Sequence, residues 1–234
     1  MTLFAVLALG FMLGLRHATD ADHVMAMSAL VSRERSPRAA IALGAFWGLG
    51  HTVTIVLVGG AIAVFGVAVS PRLGLSLEMS VAAMLILLGA LNLRGGGAPR
   101  ATAHTHAHAT DDSRRSSRNL AGMLRRGGRS LLVGGVHGLA GSAAVALLVL
   151  TSIGEARWAP VYLGVFGCGT VLGMMLVTAT MAVPLKLATL HFDSAERFMA
   201  RATGALNIAF GLFLAYRIGI VQGLLLGNPS FTPQ

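Results

Sequence analysis

Residues 1–23 read MTLFAVLALGFMLGLRHATDADH, an apolar run that ends in five ionisable groups, Arg16, His17, Asp20, Asp22 and His23. Val24 to Val31 return to mostly apolar character, so the polar cluster sits inside one hydrophobic segment of approximately 2–30. A single Asp or Arg at the centre of a membrane helix costs about 2.5–3.5 kcal/mol even on the most permissive scales. A structural origin for five such groups is hard to sustain at that cost. Ionisable residues within a membrane segment mark ion pathways.

The rest of the 234 residues fits a membrane setting. Hydrophobic residues make up 55% and charged residues 12%, with a mean hydropathy of +0.73, whereas soluble domains carry roughly 25% charged residues. Segments long enough to cross a hydrocarbon core of about 30 Å run over approximately 2–30, 39–69, 76–94, 129–152, 159–184 and 200–220. The first two are long enough to be tilted or broken. Thirty glycines suit helices packed closely through small residues. Residues 95–128, rich in Arg, His, Ser and Gly, read as a flexible loop without a core. The apolar start lacks the basic residues of a signal peptide and reads as part of the first mature helix. Cys168 is the only cysteine, so no intrachain disulfide can form.

A net charge of +9 and a pI near 11.5 could suggest nucleic-acid binding, but the placement of the arginines explains them differently. Arg33, Arg35 and Arg38 follow the first segment, eight arginines lie between 94 and 129, and Lys186, Arg197 and Arg201 follow the fifth segment. Only Arg72 and Arg157 fall on the opposite side. This asymmetry places the basic loops in the cytoplasm and both termini outside it. The expected setting is a plasma membrane (the inner membrane of a bacterium), with lipid as partner and no nucleic acid.

The chain also repeats itself. Leu43-Gly44-Ala45-Phe46 resembles Leu163-Gly164-Val165-Phe166, and His17 matches His137 at the same offset of 120. Ala90-Leu91-Asn92 recurs as Ala205-Leu206-Asn207 at 115. The expected fold is an all-α polytopic membrane protein of about six transmembrane helices, arranged as two inverted three-helix repeats over 1–94 and 129–234. Three spans per repeat force the second copy upside-down. Such repeats recur in secondary transporters with a site near the midplane.

At about 100° per residue, His17, Asp20 and His23 share an arc of about 120° on a regular helix. Asp22 points almost opposite. Either the helix is distorted there, or Asp22 stands behind the ligands and orients a histidine or pairs with Arg16. Two imidazoles and a carboxylate suit Ni²⁺, Co²⁺, Zn²⁺, Cu²⁺ or Fe²⁺ better than Mg²⁺ or Ca²⁺. A proton relay or a self-neutralising polar patch would use the same residues. His51, in Gly50-His51-Thr52, is a candidate from the next segment, and His137 a candidate from the fourth, among glycines that permit close approach. Met25 and Met27 read as packing. In the loop, His104, His106 and His108, followed by Asp111 and Asp112, could collect or sense metal.

Arg16-His17-Ala18-Thr19-Asp20-Ala21-Asp22-His23-Val24 resembles the signature of the nickel/cobalt transporter family (NicO), with histidine, four residues, aspartate and histidine. Leu49-Gly50-His51-Thr52 is similar to that family's second motif. The resemblance implies a secondary permease, not an enzyme, moving Ni²⁺ or Co²⁺ without ATP through His17, Asp22, His23 and His51. The metal would be cargo, and no resident cofactor is expected. Some exporters of the wider family carry a histidine-rich cytoplasmic loop, which His104 to His108 resembles. Two alternatives compete: a membrane-embedded metalloenzyme, and a proton-coupled exporter of a small solute using Arg16 and Arg217.

Overall fold

The computed structural model describes residues 3–32, 34, 36–66, 69–94, 125–141, 158–191, 195–227 and 229. The first apolar segment, approximately 2–30 and long enough to be tilted or broken, is two helices, α1 (Leu3–His17) and α2 (Ala21–Val31). The chain between them explains why. The Thr19 and Asp20 N–H groups donate to the Arg16 and His17 carbonyls (2.8 and 3.1 Å), three residues back where a helix reaches four. The Thr19 hydroxyl donates to the same Arg16 carbonyl at 2.6 Å. Short polar side chains that compete for backbone groups in this way disfavour helix interiors. Asp20 then turns extended (φ −60°, ψ 145°), and its carbonyl accepts the N–H of Val24 at 3.0 Å to open α2. At about 1.5 Å per residue neither helix crosses a core of about 30 Å alone.

Five further helices follow among the described residues. α3 (Pro37–Thr54) starts on a proline at its first position, which suits a fixed φ and a missing N–H. It continues through a π segment, Ile55–Gly59, to Phe65, and Gly66 ends it at a φ of 62°. α4 is Pro71–Arg94 and α5 covers 125–141. α6 is Ala159–His191, and α7 (Ala195–Tyr216) continues as a π segment to Val221. Four of these stretches are long and apolar enough to cross a membrane: Pro37–Phe65, Pro71–Arg94, Ala159–Pro184 and Phe198–Val221. Helix is already formed at Arg125 and Arg126, residues assigned from sequence to the loop 95–128. Phe4, Leu57, Phe65, Leu87 and Phe198 point outward, the pattern of a surface that faces lipid.

Glycines set how the helices meet. Gly14 of α1 packs against the Phe166 carbonyl of α6, and Gly169 of α6 against the Phe11 carbonyl of α1. Likewise Gly134 of α5 packs against the Trp47 carbonyl of α3, and Gly50 of α3 against the Leu131 carbonyl of α5. α4 and α7 pair through Gly89 and Gly204. Both lie against α2, where two buried amides hold it: Asn92 Nδ2 donates to Ala29 O (3.0 Å) and Ser32 Oγ (3.1 Å), and Asn207 Nδ2 to Ser28 Oγ (3.3 Å). Ala26 and Met27 of α2 pack with Trp47, Leu85 and Met174 in the largest apolar core.

A Cβ at Gly14 or Gly134 would fall on a backbone carbonyl, which no side-chain adjustment relieves. Overpacking of this kind costs about 1–3 kcal/mol or more. Gly14→Val and Gly134→Val should each lower the melting temperature in detergent or abolish a monodisperse chromatography peak. Gly164→Ala, with no described atom within 4 Å of the added carbon, should leave both unchanged.

Candidate metal centre

The break between α1 and α2 delivers four ionisable side chains to one place. His17 is the last residue of α1, Asp20 caps α2, and Asp22 and His23 form its first turn. His51 comes from α3 and His137 from α5. His23, His51 and His137 are buried. The ring of His23 lies centrally, with centroids 4.6 Å from His17, 5.0 Å from His51 and 4.2 Å from His137. Phe166 stacks obliquely beside His17, and Trp47 lies against His23 and His137, walling the cluster with apolar rings.

The carboxylates decide which imidazole nitrogens are free. Asp20 Oδ2 lies 2.7 Å from His17 Nδ1, and Asp22 Oδ1 lies 2.8 Å from His23 Nδ1. An ionised carboxylate only accepts, so both Nδ1 atoms carry their protons, and in the neutral ring Nε2 is the nitrogen with the lone pair. The other oxygen of Asp22 accepts from His137 Nε2 at 3.0 Å. Asp22 Oδ1 also accepts the backbone N–H of His23 at 2.8 Å. His23 Nε2 is buried without a hydrogen-bond partner among the described residues. His17 Nε2 faces His51 Nε2 at 3.2 Å. One donor atom from each of His17, His23 and His51 lies within 4.8 Å of the other two, and the same holds for Asp22, His23 and His137.

The arrangement differs from the single-face expectation. His17, Asp20 and His23 do meet, but across a helix break and not along one regular helix. Asp22, expected to point away, faces the cluster and bridges His23 to His137; it does not pair with Arg16. Met27 is packed in the core. His104, His106 and His108 lie outside the described residues. Trp47 and Phe166 carried no signal in the sequence, because an aromatic in an apolar helix is indistinguishable from packing.

Four helices long and apolar enough to cross a membrane thus surround a buried group of imidazoles and carboxylates, donors of the kind that suit transition-metal ions. A family model described as high-affinity nickel-transport protein (NicO) matches residues 3–94, a stretch that holds His17 to His51. Over 223 residues the chain is 32% identical to the urease accessory protein UreH of Bacillus sp. (strain TB-90), covering 95% of each chain. No solved structure matches. The chain belongs to the NicO nickel-transport family, and it is a metal transporter and not an enzyme.

Removing Asp22 leaves the N–H groups of His23 and His137 without an acceptor in buried surroundings, at about 1–3 kcal/mol for each group. Asp20 is half exposed, and water can replace it. Asp22→Ala should therefore lower the melting temperature of chelator-treated protein severalfold more than Asp20→Ala does. Equal losses would contradict the bridging role.

Proposed function

We propose that this protein is a secondary permease for Ni²⁺ or Co²⁺ whose ion is held by the Nε2 atoms of His17, His23 and His51. The observation that carries this reading is the convergence of the three imidazoles, with Asp20 and Asp22 behind two of them. Metal–imidazole bonds of about 2.0–2.1 Å set neighbouring nitrogens about 3.0 Å apart at right angles and about 3.4 Å apart in a tetrahedron. The His17–His51 separation of 3.2 Å lies between these values. Carboxylates that hold the far nitrogen of a ligating histidine fix its tautomer and raise its basicity. In this reading Asp20 and Asp22 act on the ion through His17 and His23, and water completes the shell. Imidazole nitrogen favours Ni²⁺ and Co²⁺ over Mg²⁺ and Ca²⁺.

The halves 1–94 and 129–234 act as inverted repeats. The reciprocal glycine contacts support this, because they pair equivalent positions. Phe11 and Gly14 correspond to Leu131 and Gly134 at an offset of 120, and in the register of the contacts, one residue off the Leu43–Phe46 match, Trp47 and Gly50 correspond to Phe166 and Gly169 at 119. The first helix of each half thus packs on the other half, α1 on α6 and α5 on α3. Rocking of such halves about a central site gives alternating access. The arginine asymmetry supports a plasma-membrane setting with the loop 95–124 in the cytoplasm.

Radiolabelled Ni²⁺ flux into proteoliposomes tests the site. His23→Ala and His51→Ala should each lower flux at least tenfold. Asp22→Asn should weaken Ni²⁺ affinity about 10–100-fold, the usual effect of losing a group that orients a ligand. Wild-type flux in both histidine variants would overturn the assignment.

A further inference from the structure

His137 stands outside the three-imidazole group, yet its surroundings make a second position beside it. It comes from the second half of the chain and is 2% exposed. Its Nε2 lies 3.0 Å from Asp22 Oδ2, and Asp22 Oδ1 lies 2.8 Å from His23 Nδ1. The rings of His23 and His137 stand edge to face at 4.2 Å. The donor atoms of Asp22, His23 and His137 lie within 4.8 Å of one another, as close as those of the first group. His23 belongs to both groups; its Nδ1 faces Asp22, and its Nε2 has no partner among the described residues. His137 Nδ1 is buried with no hydrogen-bond partner among the described residues. Asp22 therefore holds the His137 proton on Nε2, and Nδ1 is the nitrogen left without a partner among the described residues.

Building on the three-imidazole centre, we propose that Asp22, His23 and His137 form a second position for the same divalent ion, one imidazole ring away from the first. In the first position His23 binds through Nε2 and keeps its proton on Nδ1, against Asp22. In the second it binds through Nδ1 and carries the proton on Nε2, while His137 binds through Nε2 with its proton on Nδ1. Each imidazole holds one proton in both positions, so the ion moves with no net uptake or release of protons. Two imidazoles and one carboxylate suit the same borderline metals as the first position and add a negative charge to offset the ion. The first position uses only residues of the first half, and the second recruits His137. The step therefore hands the ion from one half of the transporter to the other, where a rocking motion of the halves separates the two sides of the membrane.

His137→Gln is the informative variant, since its amide N–H still donates to Asp22 while the imidazole is gone. Calorimetry of Ni²⁺ binding in detergent should give an affinity within threefold of wild type, whereas proteoliposome flux should fall at least tenfold. In His51→Ala, weak Ni²⁺ binding should remain and should vanish when His137→Gln is added. His137→Gln flux within twofold of wild type would overturn the second position. So would an affinity loss as large as the flux loss, or residual binding in His51→Ala that ignores His137→Gln. Wild-type affinity in both His17→Ala and His51→Ala would instead remove the first position, which separates the two failures.

Discussion

A helix interrupted within a membrane exposes backbone groups that lipid cannot satisfy, and the rest of this structure depends on how the chain solves that problem between His17 and Ala21. The Thr19 and Asp20 N–H groups fold back onto the Arg16 and His17 carbonyls, and the Thr19 hydroxyl joins them. The turn therefore satisfies these donors within its own few residues. Its consequence is chemical. A continuous helix would turn Asp22 away from His17 and His23, whereas the break brings both aspartates beside both histidines. The positive end of α2 adds to this, since its first turn holds Asp22 where a helix N-terminus favours a carboxylate.

Close helix packing supplies the remaining imidazoles. His51 approaches α1 and α2 because α3 is drawn against α5 and α6 by glycines whose backbones touch neighbouring carbonyls. His137 approaches because Gly134 and Gly138 allow α5 to lie on the backbone of α3 at Trp47 and His51. Two buried amides, Asn92 and Asn207, meanwhile fix the far end of α2. The half-helix that presents Asp22 and His23 is thus tied at Ser28, Ala29 and Ser32, and its other end lies against the imidazoles and Trp47.

Much of this was legible in the sequence. Apolar length marked the membrane helices, and ionisable residues in apolar surroundings marked His17, Asp20, Asp22, His23 and His51. The signature around His17 to His23 pointed to the family that the comparisons establish. What the sequence hid was geometry. Hydropathy averages over windows longer than the turn at Ala18–Asp20, so a broken span and a continuous one look alike. Periodicity on a regular helix puts Asp22 opposite Asp20, so it left a distorted helix as one of two alternatives and could not choose between them. The meeting of His137 with Asp22 depends on contacts between residues 115 positions apart, which local pattern cannot carry.

In the proposed first position, where the ion is held most tightly, three imidazoles are its ligands and the two aspartates stand behind them. X-ray absorption at the nickel edge of the Ni²⁺-loaded protein reads this directly, because imidazole gives a multiple-scattering signature that carboxylate and water lack. The expected spectrum shows three imidazoles per nickel in wild type, unchanged in number by Asp22→Asn. A spectrum with one imidazole or none, or one that loses an oxygen ligand in Asp22→Asn, would contradict it.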